Sequence, residues 1–265
     1  MSKTAVENST CDWFLETVTS ARSRILLLDY DGTVAPFSAD RRRAFPYPNV
    51  PELLRRIMTS CSTRLVVISG RSAHAVVPLL GLDPRPEIWG TYGLERLYSD
   101  GRYEGPEVTD EALYALDRAE ADLLREGLDQ AIEARPGAVS VHWRGLRPSE
   151  VLEVRTKAYR ILNPLALHNG LLVADFDGGV EIRLRAASKG DVVRTILSEN
   201  DPGVPVAYLG DDTTDEDAFR VLNGRGLTVL VRPKHRFTAA QLWLRPPGQL
   251  VAFLQAWITS SGGDL

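Results

Sequence analysis

Two aspartates, Asp29 and Asp31, close the apolar run of the segment ILLLDYDGTVAPF, residues 25–37. Asp211, Asp212 and Asp215 stand among the acids of YLGDDTTDED after another apolar run. Carboxylates gathered at strand ends repel one another unless a cation compensates them. An all-oxygen ligand set there suits Mg2+, which keeps several waters and takes one or two carboxylates. Ser69 follows the run LVVI, and Lys189 opens the helical segment after residue 188. A lysine and a hydroxyl at a helix N-terminus suit a phosphoryl group. An aspartate can attack phosphorus to form an aspartyl-phosphate. A second carboxyl can then give a proton to the leaving oxygen and later take one from water. The chemistry these residue types offer together is metal-assisted phosphoryl transfer, with the two opening aspartates as nucleophile and proton shuttle.

The elements that must position these groups alternate along the chain. RSRILLLDY has the unbroken apolar character of a buried parallel strand. VPELLRRIMTS follows at helical spacing, with Leu53, Leu54, Ile57 and Met58 on one face. TRLVVISG is a second strand, SAHAVVPLLGL a helix closed by Gly81, and PEIWGTYG a third strand. That rhythm predicts a parallel sheet with helices on both faces, whose ligand site lies at the carboxyl ends of the strands. The middle of the chain reads differently. A DG turn in LYSDGRYEG precedes a long amphipathic helix over 109–134, capped by Thr109 or Asp110. Then come a strand in GAVSVHWRG, a helix in PSEVLEVRTKAYRILN, and two strands, LLVADF and GVEIRLR, joined at a DGG turn. After residue 185 the parallel rhythm returns with a helix capped by Ser188, the strand VPVAYLG, the helix TDEDAFRVL and the strand GLTVLVR. PPGQLVAFLQAWI closes the chain as a helix opened by proline. The sequence therefore predicts an α/β, doubly wound, Rossmann-like core from residues 1–105 and 186–265. An inserted α+β domain over 106–185 interrupts it.

The balance of 44% hydrophobic and 25% charged residues is that of an ordinary globular chain. A net charge of -4 argues against a nucleic-acid surface built on bulk positive charge. Cys11 and Cys61 form no CxxC pair, so neither a disulfide framework nor a thiolate zinc site is expected. MSKTAVENST lacks the basic and apolar regions of a secretory signal. The apolar runs fall far short of the ~20 residues that span a bilayer. The expectation is a cytoplasmic monomer with no membrane or nucleic-acid partner.

Several residues have plainer readings. DFDGG, 175–179, imitates the opening aspartate motif but runs directly into VEIRL, so a hairpin turn explains it. Arg41, Arg42 and Arg43 read as a solvated loop, and Asp212 and Glu216 as first-turn helix acids. His74, His168 and His235 show no metal-ligand spacing.

Taken in order, DYDGT, VVISGR, SKG and GDDTTDED resemble the four motifs of the haloacid dehalogenase-like phosphotransferase superfamily. The presence of Asp31 points toward its phosphatases and mutases, and the insertion corresponds to a C2-type cap. Within the superfamily, LLLDYDGTVAPF, VVISGRS, VHWRG, GVEIRL…SKG and YLGDDTTDEDAF are most similar to trehalose-6-phosphate phosphatases. That resemblance implies Asp29 as nucleophile and Asp31 as general acid/base. Mg2+ is expected on Asp29, the backbone carbonyl of Asp31, and Asp211, with Asp215 supporting the metal or Lys189. Ser69 and Lys189 are expected to grip the phosphoryl oxygens, with Thr33, Gly70, Arg71 and Glu95 completing the core's substrate contacts. In the cap, His142, Arg144 and Glu181 fall where the family places sugar-facing residues. Tyr92 stands where the family usually has histidine, and Arg185 where proline is common. The implied reaction is Mg2+-dependent hydrolysis of a small-molecule sugar phosphate, trehalose 6-phosphate first, under a cap that closes and excludes water. A phosphatase of sucrose phosphate or mannosyl-3-phosphoglycerate, or a non-catalytic phosphosugar-binding regulator, are the alternatives. Against the last, no motif position is blank.

Overall fold

The computed structural model describes residues 3–38, 40–167, 170–185 and 188–263, with side chains from Cys11 onward. His168 and the expected domain boundary at residue 186 lie outside the described residues. The chain divides into two compact units, Met1–Tyr103 with Ser188–Leu265, and Glu104–Ala187.

The larger unit begins with helix α1 (Lys3–Ser20) and strand β1 (Arg24–Asp29). Helix α2 (Val50–Ser60), strand β2 (Thr63–Ile68), helix α3 (Ala73–Leu80) and strand β3 (Glu87–Gly90) continue the alternation. Two short strands follow, β4 (Glu95–Leu97) and β5 (Tyr103–Glu104). Ser72 caps α3 by accepting from the Ala75 amide at 3.3 Å, and Gly81 ends it at φ +62°, a conformation that costs glycine nothing.

The smaller unit holds α4 (Asp110–Arg125), β6 (Ile132–Arg135), β7 (Ala138–His142), α5 (Pro148–Ala166), β8 (Leu171–Phe176) and β9 (Gly179–Leu184). Its four strands form an antiparallel sheet in the order β6-β7-β9-β8. Val139, Val141, Val180 and Ile182 are buried on the face that α4 and α5 cover. The register puts Glu133 opposite Ser140, and Ser140 opposite Glu181, on the other face. The helix expected over 109–134 stops at Arg125, because Gly127 turns the chain at φ +76° and residues 132–135 pair with β7 instead. The segment DFDGG is the β8–β9 hairpin turn.

The chain then returns to the first sheet through α6 (Lys189–Ser198), β10 (Val206–Gly210), α7 (Glu216–Leu222), β11 (Leu227–Val231), β12 (Leu242–Leu244) and α8 (Gly248–Ser260). The eight strands run in the order β12-β11-β10-β1-β2-β3-β4-β5. The pairs from β12 to β3 are parallel, and β4 is antiparallel to β3. Alternate residues of β1 enter two separate cores. Leu26 and Leu28 pack with Leu54, Ile57, Leu254 and Trp257, whereas Ile25 and Leu27 pack with Val192, Ile196 and Phe219. A strand covered on both faces must be apolar along its covered length, so after Arg24 at its start the next polar side chains of β1 and its continuation fall at its carboxyl end.

Candidate active site

Asp29 is the last residue of β1 and is 4% exposed. Thr33 donates to its Oδ2 at 2.9 Å and Lys189 to its Oδ1 at 2.6 Å. Lys189 is brought there by the start of α6, which Ser188 and Asp191 fix through a reciprocal capping box. Its ammonium also donates to Asp215 Oδ1 at 2.7 Å. Burial disfavours this ammonium, but Asp215 and Asp29 more than offset it and hold its pKa well above the usual lysine value. Burial drives the Asp29 carboxyl up to about 7 against the pull of Lys189, with Asp215 adding to the rise.

Asp211 and Asp215 follow β10. Asp215 has all four of its carboxylate positions engaged: Lys189 and Tyr208 Oη on Oδ1, and the amides of Asp211 and Asp212 on Oδ2. Asp211 is the opposite case. It is 1% exposed, and neither of its carboxylate oxygens accepts a hydrogen bond among the described residues. Burial, then Asp29 and Asp215, push its pKa well up. Asp29, Asp211 and Asp215 nevertheless bring one carboxylate oxygen each within 4.8 Å of one another. Buried, unpartnered carboxylate oxygens beside two further carboxylates are what a hard divalent cation requires, and the donor set fits Mg2+. Gly32 makes room for this approach, since a Cβ there would stand 2.2 Å from Asp211 Oδ2, and its φ of +86° favours glycine as well.

Asp31 lies just past β1 and is gripped at both oxygens by Arg71, through Nε and Nη2 at 2.6 Å each. Arg71 also donates from Nη1 to the Arg41 carbonyl at 2.8 Å, and its amide donates to Ser69 Oγ at 3.1 Å. Ser69, Gly70 and Arg71 thus form one loop at the end of β2, facing the loop that ends β1. Glu95 is buried in β4 and is engaged with Thr91, Ala73 and Tyr103.

The remaining expected residues belong to the smaller unit. Glu181 is 1% exposed and accepts from Arg135 at 2.9 Å and from Ser140 at 3.3 Å. His142 Nε2 is 3.2 Å from Glu133 Oε2. Arg144 follows β7 and donates to the Asp177 carbonyl in the β8–β9 turn.

Sequence reading missed the clamp behind the metal-type cluster. Arg236 donates to the carbonyls of Asp211 at 3.2 Å and Asp212 at 2.6 Å, and pairs with Glu216. Arg232 reaches the Asp211 carbonyl as well, at 3.3 Å. Nothing in RPKHRF marks one arginine as an anchor, since most of its partners are main-chain carbonyls. Glu216, expected as a helix-start acid, is tied by Arg236 and by the Ala239 amide at 2.8 Å.

A doubly wound sheet with paired aspartates at the end of its central strand, a serine after the next, and a lysine and acid cluster on the other side is the arrangement of the haloacid dehalogenase-like superfamily. The trehalose-phosphatase family model matches residues 27–241, and the chain belongs to that family. The trehalose-phosphate phosphatase of Mycobacterium tuberculosis H37Rv is 31% identical over 251 residues, covering 88% of this chain and 61% of the relative. That of Mycobacterium leprae is 28% identical over 260 residues, covering 89% and 58%. The chain therefore spans about three fifths of the length of these curated relatives. Among solved structures, the C-terminal domain of Candida albicans trehalose-6-phosphate phosphatase aligns at a TM-score of 0.78 and 20% identity, covering 96% of this chain and 97% of that one. A haloacid dehalogenase-like hydrolase from B. subtilis aligns at 0.59 and 16%, covering 88% and 99%. These structural likenesses show the fold. No helix among the described residues is long and apolar enough to cross a membrane.

Proposed function

We propose that this chain hydrolyses trehalose 6-phosphate to trehalose and phosphate in a Mg2+-dependent reaction through an aspartyl-phosphate. The observation that carries the reading is the buried group of Asp29, Asp211 and Asp215, with the two Asp211 oxygens unpartnered among the described residues and Lys189 on Asp29. Asp29 attacks phosphorus, the ester P–O bond breaks, and the leaving sugar oxygen takes a proton from the Asp31 carboxyl. Water then attacks the phosphoryl group of Asp29 and gives a proton back to Asp31, which frees phosphate and restores both carboxyls. Ser69 and Lys189 hold the phosphoryl oxygens, and Thr33 orients Asp29. Asp29, Asp211 and the Asp31 carbonyl are the ligands assigned to Mg2+, while Asp215, already saturated, keeps Lys189 and the Asp211 turn in place. When bound, Mg2+ offsets the carboxylate charge and polarises a phosphoryl oxygen.

The domain reading, with residues 106–185 as a separate unit that selects the sugar, belongs to the same proposal. Its polar sheet face, with His142 and Glu181, and the neighbouring Arg144 are the groups suited to hydroxyls. A net charge of -4 supports a small-molecule substrate over nucleic acid. A cytoplasmic location fits a phosphorylated sugar, whose charge keeps it from crossing a bilayer. The test is phosphate release from trehalose 6-phosphate, sucrose phosphate and mannosyl-3-phosphoglycerate, with Mg2+ and with chelator. Highest turnover on trehalose 6-phosphate that chelator removes supports the proposal. Preference for another sugar, turnover in chelator, or no turnover on any overturns it.

A further inference from the structure

The phosphate loop Ser69–Arg71 is held from behind by a second loop, residues 91–93, in an unfavourable conformation. Thr91 at φ 44° and Tyr92 at φ 57° are consecutive side-chain-bearing residues in the left-handed region. Residues in that region persist only when their surroundings over-determine them. Their amides are both committed to the phosphate loop: Tyr92 N donates to the Ser69 carbonyl at 2.9 Å and Thr91 N to the Arg71 carbonyl at 2.8 Å. The Tyr92 ring closes the gap between, so that a Cβ on Gly70 would stand 2.7 Å from Cζ and Oη. The shape of the phosphate loop is therefore copied from the strained loop beneath it.

One buried carboxylate holds that strained loop. Glu95 is 1% exposed. Its Oε2 accepts from Thr91 Oγ1 at 2.6 Å and from the Ala73 amide, at the start of α3, at 3.3 Å. Its Oε1 accepts from Tyr103 Oη at 2.9 Å. Gly90 is pressed against the same group, since a Cβ there would stand 2.7 Å from Glu95 Oε2 and 2.2 Å from the Ala73 amide. The carboxylate is thus occupied on both oxygens by the strained loop, by the helix that leaves the phosphate loop, and by a tyrosine.

We infer that Glu95 is a positioning residue for phosphate binding, acting through Thr91 and Tyr92 to fix the Ser69–Arg71 backbone, and does not itself touch the substrate. The inference rests on the proposed phosphoryl-binding role of that loop, but not on the identity of the sugar. Its probe is inorganic phosphate, whose binding is measured by calorimetry in the presence of Mg2+ without any turnover. Glu95→Ala leaves Thr91 and the Ala73 amide without their acceptor and is expected to weaken phosphate binding about tenfold or more, the scale of one lost charge-assisted hydrogen bond. The Mg2+-induced rise in melting temperature is expected to be unchanged, because Asp29 and Asp211 lie on the β1 and β10 ends of the sheet. Glu95→Gln keeps the acceptor for Thr91 and Ala73 and is expected to restore phosphate binding to within about threefold. Thr91→Val removes one donor at constant shape and is expected to weaken phosphate in the same direction, which preserves the test should Glu95→Ala fail to fold. Unchanged phosphate affinity in folded Glu95→Ala or Thr91→Val overturns the inference, as does loss of phosphate and Mg2+ responses together. A loss confined to sugar phosphates, with inorganic and phenyl phosphate spared, also overturns it and makes Glu95 a direct sugar contact. Weakened phosphate binding in a protein that shows no turnover of trehalose 6-phosphate would leave the inference standing while the proposed substrate falls.

Discussion

Lys189 stands between two carboxylates, 2.6 Å from Asp29 and 2.7 Å from Asp215, so a single ammonium sets the orientation of the group assigned to attack phosphorus. Asp29→Asn replaces that oxygen nucleophile by an amide and weakens one contact to Lys189. Turnover is expected to vanish in a phosphate-release assay at saturating Mg2+, and near-normal release would rule out the covalent route. Asp31 is held differently, by the Arg71 fork at both oxygens. Asp31→Asn keeps the backbone carbonyl assigned to the metal while removing the proton carrier. It is expected to slow hydrolysis by ~10²-fold or more. The loss is expected to be larger on a sugar phosphate, whose leaving oxygen needs the proton, than on an aryl phosphate, whose leaving group departs without it. Equal losses on the two substrates would mean that Asp31 acts by holding Arg71 and not as an acid.

Among the elements, β9 shows how a sequence signal can name a residue without its surroundings. Glu181 interrupts an apolar strand, which marks it, but the alternation cannot say what stands opposite. The register supplies Ser140 and, beside it, Arg135, whose side chain is 4% exposed. Arg183 comes within 3.1 Å on the same strand. Burial pushes the Glu181 carboxyl up while Arg135 and Arg183 pull it down. Breaking such a pair from one side leaves a buried cation, so Glu181→Ala is expected to destabilise the fold by about 3–5 kcal/mol, read as a lowered denaturant midpoint. A midpoint unchanged in the variant would mean that the pair contributes nothing net, and that its value lies in recognition. Elements were legible where local chemistry decided them: Ser72 and Gly81 bracket α3, and Ser188 opens α6. They were not legible where the deciding contact was distant. The segment through residue 134 keeps helical amphipathicity, yet residues 132–135 gain ladder hydrogen bonds from β7 and leave the helix. β12 is three residues long and is defined by its pairing with β11. The site followed the same division. Asp29, Asp31, Ser69, Lys189 and Asp211 sit at strand and helix ends that the pattern predicts. Arg236 reaches its carbonyls from a loop no periodicity describes.

Across the whole molecule, folding gathers carboxylates from positions 29, 211 and 215 into one buried cluster, in a chain whose net charge is already -4. Lys189 offsets part of that charge, but without a further cation the gathering opposes folding. The Asp29 carboxyl is raised from 3.8 to about 7, chiefly by burial, and Asp211 is raised for the same reason with Asp29 and Asp215 adding to it. A carboxyl raised in the folded state binds protons that the unfolded chain has released. Its favourable contribution is complete below the unfolded value and is lost as pH climbs through the folded one. The metal-free protein is therefore expected to lose stability, as far as Asp29 is concerned, between about pH 4 and about pH 7. Mg2+ competes with those same protons and binds the folded cluster, so its stabilising effect should grow as pH rises over that interval. Scanning calorimetry from about pH 5 to about pH 8, with chelator and with Mg2+, reads both trends. Asp211→Asn supplies the control: removing one buried titrating carboxyl from the cluster should flatten the metal-free profile and abolish most of the Mg2+ response. If the unmutated protein gains no more from Mg2+ at the alkaline end than at the acidic end, the cluster is not where the ion binds. If Asp211→Asn keeps the full Mg2+ response, its unpartnered oxygens are not ligands.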